Sequence, residues 1–161
     1  MLPNILFNYH TFKHSLFNMI ASWTNFMNKG VIYMNDLNQT YPLSISYHQI
    51  TVYTGSTTPP VIDWTDDDIL QGFATGDRGI SFEGINNGKA SIIVTLNSHE
   101  PPSSVDRVIT VPFTHSSDHV YLTSVMAQIL SFSIPKGDYQ LTCYISEHPD
   151  QDLYYFDFQT A

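Results

Sequence analysis

Residues 43–52 read LSISYHQITV. Leu43, Ile45 and Tyr47 alternate with Ser44, Ser46 and His48, and the apolar positions then change phase to Ile50 and Val52. Alternation with a period of two marks a strand with one buried face, because successive side chains point to opposite sides of a pleated backbone. The change of phase predicts a bulge or bend within that strand, after which the other set of residues faces the core.

Further β-rich runs fall at 79–83, 90–96, 107–113, 120–125, 129–134, 139–145 and 153–158. Turn chemistry separates many of them: Asn86-Asn87-Gly88, Pro101-Pro102-Ser103-Ser104 and Pro135-Lys136-Gly137-Asp138. Short strands with turns at this spacing predict an all-β chain folded as a single antiparallel β-sandwich. The chain's 161 residues suit one domain with a substantial core, and no internal repeat or low-complexity linker interrupts it.

One stretch breaks the strand pattern. Residues 61–76 read VIDWTDDDILQGFATG. Thr65 is placed to act as N-cap, its hydroxyl meeting the free N–H groups of a first turn that contains Asp66, Asp67 and Asp68. Carboxylates there favour the positive end of the helix dipole. Ile69, Leu70 and Phe73 form an apolar stripe, while Gly72 and Gly76 keep the helix short, so one short helix is predicted near Asp66–Phe73. Helix geometry alone therefore accounts for three consecutive aspartates. Trp64 beside them reads either as a core anchor for the loop or as an interface anchor.

Composition bounds the function. The chain is 42% hydrophobic and only 13% charged, which is globular, and six Lys/Arg against fifteen Asp/Glu give a formal charge of −9. Direct nucleic-acid binding is disfavoured, because it requires cations to neutralise phosphates. A basic partner is permitted, although net negative charge also serves solubility. The single cysteine, Cys143, excludes an internal disulfide and reads as a buried, inert thiol in a strand. His148 follows it, but no third orienting group makes a Cys/His nucleophile.

Residues 1–33 differ from the rest. They contain no Asp or Glu, and Asn8, His10, Lys13, His14 and Asn18 interrupt every apolar run. This pattern fits neither a signal peptide nor a membrane span, so a cytoplasmic protein without membrane insertion is expected. His10 and His14 have a helical metal-clip spacing but lack further ligands. Lys29-Gly30-Val31 is encodable by AAR-GGN-GTN, which accommodates a ribosome-binding sequence shortly before the Met34 codon. Residues 1–33 are accordingly expected to be an extension outside the core or an over-called start, with residues 34–161 forming the domain. A start at Met34 deletes Lys13 and Lys29 and no acid, taking the charge from −9 to −11.

His115, Asp118 and His119 supply two imidazoles and a carboxylate within five residues, the donor types of a metal-dependent enzyme. They fall between two strand runs and read as solvated loop residues. The three aspartates lack the spaced oxygens and terminal Glu of a calcium loop. No phosphate-cradling glycine loop or nucleophile elbow occurs. Neither catalysis, metal nor cofactor is expected. A rival reading is a module that binds a carbohydrate or small ligand through exposed Tyr121, Tyr154 and Tyr155.

The segments LSISYHQITVY, STTPPVIDWTDDDILQGFA, GISFE, ITVPF and LSFSIPKGDYQLTCY resemble the competence protein J family of bacilli. The resemblance runs from about Leu43 to the C-terminus, looser over the last fifteen residues, and does not extend over residues 1–33. It implies a non-catalytic protein that binds and silences a DNA-entry nuclease. It assigns no contact residues. An acidic inhibitor can occupy the cationic groove of a nuclease by charge complementarity. The densest acidic cluster then supplies the candidate partner-binding residues: Asp63, Asp66, Asp67 and Asp68, with Trp64 as anchor.

Overall fold

The computed structural model describes residues 30–34, 36–98 and 100–161. In chain order the elements are β1 (Val31–Met34), β2 (Thr40–Ile45), β3 (Gln49–Thr54), α1 (Asp66–Gln71), β4 (Phe73–Gly76), β5 (Gly79–Glu83), β6 (Gly88–Leu96), β7 (Arg107–His115), β8 (Val120–Ser124), β9 (Ile129–Phe132), β10 (Gly137–Ser146) and β11 (Asp152–Thr160). They form a six-stranded sheet, β1-β9-β8-β3-β5-β4, and a five-stranded sheet, β2-β6-β11-β10-β7. The inner faces share one core in which Ile50, Phe82, Leu122 and Phe132 of the first sheet meet Leu43, Ile92, Val111 and Phe156 of the second. Phe82 and Phe156 make an edge-to-face contact across it, with centroids 5.5 Å apart. The expected β-sandwich with one short helix is the observed architecture.

Residues 43–52 are not one bent strand. β2 pairs with β6 and β3 pairs with β5 and β8, so the chain changes sheets between Ile45 and Gln49. The change of phase is the corner itself: Leu43 and Ile45 face the core from one sheet, Ile50 and Val52 from the other. Tyr47 (φ 54°) and His48 (φ 52°) make this corner in the left-handed region, which a side chain disfavours. Hydrogen bonds hold it there. The His48 N–H donates to Asn87 Oδ1 (2.9 Å), and the His48 carbonyl accepts from the Gly84 N–H (2.7 Å). Buried Ser124 accepts from the Ser46 N–H (2.9 Å) and donates to the Gln49 carbonyl (2.7 Å). Ser124→Ala strips these partners from backbone groups at the corner. It should therefore cost about 1–3 kcal/mol, read as a lower urea midpoint with an unchanged slope.

The strictly antiparallel expectation is corrected at two pairings. β1 runs parallel to β9, and β6 runs parallel to β11. The second follows from the insertion of β11 between β6 and β10, where it is covered on both faces and reads as the near-continuous apolar run LYYFDF. Two strands were not legible. β4 is the short Phe73-Ala-Thr-Gly76 run at a sheet edge, and β1 lies in the acid-free N-terminal stretch. The expected boundary after residue 33 falls inside β1, whose Val31 packs on Tyr53, Tyr121 and Ile129. Residues 1–29, including His10 and His14, lie outside the described residues.

Candidate partner-binding helix

α1 starts where the sequence places it. Thr65 is an extended N-cap (φ −95°, ψ 171°), and its hydroxyl accepts from the Asp68 N–H at 3.2 Å. The Asp68 carboxylate returns the contact, accepting from the Thr65 N–H (2.8 Å) and hydroxyl (2.7 Å), which completes a capping box. Gln71 Nε2 donates to the other Asp68 oxygen at 2.8 Å. The Thr65 hydroxyl bond, followed by the Thr65 backbone bond, holds the Asp68 carboxyl below its ordinary value. The three aspartates thus divide. Asp68 is committed to the cap, whereas Asp66 and Asp67, with Asp63 before them, are exposed carboxylates without side-chain hydrogen bonds or ion pairs among the described residues.

The helix ends at Gln71, two residues before the expected Phe73, with Gly72 as its cap. Gly72 adopts φ 84° and donates its N–H to the Asp68 carbonyl (2.8 Å). Its carbonyl accepts from the Glu83 N–H at 2.9 Å, tying the helix end to β5. The Arg107 guanidinium lies against Gly72, where any Cβ would overlap it, and ion-pairs with Glu83. Glycine is favoured at this position chiefly for its backbone angle, since the flexible end of Arg107 could shift aside from a Cβ.

The predicted apolar stripe does not face the core. Phe73 is half-buried against it, but Ile69 is 44% and Leu70 80% exposed, and no residue of α1 is buried. Six residues capped at both ends are too short to lay a stripe along the sheet. Trp64 is half-buried, and its indole Nε1 is buried without a hydrogen-bond partner among the described residues, so the ring's polar edge points inward. Sequence reasoning also missed Glu83 and Arg107, which lie far from the helix in sequence and carry no motif. Beyond Arg107, an open polar cleft of about 550 Å³ includes Asn86, Lys89, Asp106, Glu147 and His148 in its lining.

The reading of His115, Asp118 and His119 as solvated loop residues is corrected at His115, while Asp118 and His119 do lie in the loop after β7. His115 closes β7 and is 1% exposed. Its Nε2–H donates to the Ile134 carbonyl (2.9 Å), leaving Nδ1 to accept from the Thr54 hydroxyl (2.8 Å). Asp118 is exposed and pairs with Lys136 at 3.1 Å, while His119 packs edge-on against Tyr33. The three side chains have separate partners. No group of three or more His, Cys, Asp or Glu among the described residues is arranged to hold a metal. Tyr121, Tyr154 and Tyr155 are 8%, 0% and 7% exposed, which removes the exposed aromatics from the carbohydrate reading. Cys143 is fully buried, and burial pushes its thiol far up, away from reactivity. No helix among the described residues is long and apolar enough to cross a membrane.

The model of the family described as competence protein J (ComJ) matches residues 42–159. The DNA-entry nuclease inhibitor of Bacillus subtilis (strain 168) is 48% identical over 112 residues, spanning 70% of this chain and 85% of that protein. The crystal structure of ComJ from Bacillus subtilis, described as an inhibitor of the DNA degrading activity of NucA, is similar with a TM-score of 0.71 and 43% identity. That similarity covers 76% of this chain and 96% of that one. The matched residues 42–159 take in the cross-sheet corner, α1 and nearly all of the five-stranded sheet, and the chain belongs to the competence protein J family.

Proposed function

We propose that this protein is a non-catalytic inhibitor that binds a DNA-entry nuclease and blocks DNA cleavage. The observation that carries this reading is its 48% identity to a DNA-entry nuclease inhibitor across 85% of that protein. The exposed carboxylates of Asp63, Asp66 and Asp67 supply the charge expected of a surface that competes with DNA phosphates for a cationic groove. Asp68 and Trp64 serve that surface from behind, one by fixing the helix start and the other by packing the loop that leads to it. The lone buried Cys143 suits a reducing cytoplasm, which we propose as the compartment. The direct test mixes the purified protein with the DNA-entry nuclease of its host. Stoichiometric loss of DNA cleavage, relieved by excess DNA and by added salt, is expected. Undiminished cleavage at molar excess of this protein would overturn the reading.

A further inference from the structure

We infer that Leu70, with Ile69 beside it, is the apolar anchor by which α1 seats in its partner, a cationic nucleic-acid-binding groove with an apolar socket. This rests on the nuclease reading above. Single exposed leucines are ordinary on protein surfaces. Here two adjacent apolar residues, 80% and 44% exposed, sit on an ordered helix that buries none of its own residues. Short helices in water normally owe their order to a buried apolar face. α1 is instead held from its two ends, by the Thr65–Asp68 capping box and by the Gly72 cap against Arg107 and Glu83. The fold thus fixes a leucine in solvent.

Helical spacing places Asp66 four residues and Asp67 three residues before Leu70, so both exposed carboxylates flank it. An apolar centre within a charged rim is the usual anatomy of an interface anchor. The rim selects the occupant. A second copy of this chain, pairing α1 with α1, would bring like carboxylates together at a formal charge of −9 per chain, and an anionic lipid surface would be repelled. A cationic protein groove satisfies both the rim and the centre.

The test measures association and dissociation rates of the full chain with the purified nuclease. Leu70→Ser should raise the dissociation rate roughly tenfold and leave association within about twofold, because an apolar contact forms after the charge-guided encounter. Leu70→Met, which keeps apolar volume, should restore the wild-type rate. Val108 provides the control, being 53% exposed on the outward face of β7 in the other sheet; Val108→Ser should leave both rates unchanged. Wild-type dissociation from Leu70→Ser would overturn the anchor while leaving the nuclease reading standing. Failure of the wild-type protein to bind the nuclease would remove both. A Leu70-dependent dimer in sedimentation would overturn the choice of occupant.

Discussion

Replacing His115 with alanine should destabilise the fold by about 2–4 kcal/mol, one of the largest effects of any single polar substitution in this chain. The side chain is 1% exposed and stacks against Phe113 with ring centroids 6.5 Å apart. Its removal leaves the Ile134 carbonyl and the Thr54 hydroxyl without their imidazole partners, and opens a void among packed groups. For a domain of this size the melting temperature should fall by roughly 4–16 °C. Binding by the folded variant at low temperature should persist. His115 and Arg107 lie at opposite ends of β7, about 27 Å apart at strand rise, and it is Arg107 that touches the helix. A melting temperature within a degree of wild type would show that the hydrogen bonds at His115 contribute nothing net.

The same residue sets a pH dependence. Burial, the largest influence, lowers the His115 pKa below the ordinary 6.5, while the Ile134 bond and Asp118 oppose it. The unfolded chain therefore binds this proton more readily than the folded one. Stability from this group is fully present above 6.5 and is lost as pH falls through the lowered folded value. Wild type should thus lose thermal stability on acidification from 6.5, and His115→Ala should flatten that slope. The carboxylates of Asp68 and Asp118, both held below the ordinary 3.8, release their own contributions only at more acid pH.

The features legible in the sequence are those that depend on near neighbours. β-rich runs set off by turn residues identified β5, β7 and β10, and Thr65 followed by three aspartates identified the helix start. What escaped depends on residues distant in the chain. Nothing local in Ser46-Tyr47-His48 says that the next strand joins another sheet; that is decided by Asn87, Gly84 and Ser124, which hold the corner. β11 beside β6 is a pairing across the whole second half of the chain, and no period encodes its direction. The stripe Ile69, Leu70 and Phe73 has helical spacing, yet spacing reports which residues share a face, not whether a sheet lies beneath it. His115 was misplaced for a similar reason. It continues the alternation of Ile109, Val111 and Phe113 one step past the predicted strand end, so extending that period would have put it in the core.

Neutralising Asp66 and Asp67 together, as Asp66→Asn with Asp67→Asn, should slow association with the nuclease roughly tenfold at low ionic strength, the lower end of what electrostatic steering supplies. Both carboxylates are exposed, and neither makes a side-chain hydrogen bond or ion pair among the described residues, so the change removes charge and little else. Each should cost only about 0.3–1 kcal/mol of stability through the helix dipole, and dissociation should change far less than association. Asp68→Asn is not equivalent. It disturbs the carboxylate that closes the capping box on Thr65, so its effect on binding would mix lost charge with a frayed helix start. Salt separates the contributions, because the Debye length is roughly 8 Å at physiological ionic strength and steering over longer distances is screened. Wild type and the double variant should therefore converge in association rate as salt rises, while the Leu70-dependent difference in dissociation remains. Equal association of the two at low salt would mean that Asp66 and Asp67 serve only the dipole of a six-residue helix, and that the charge guiding the encounter lies elsewhere on the acidic surface.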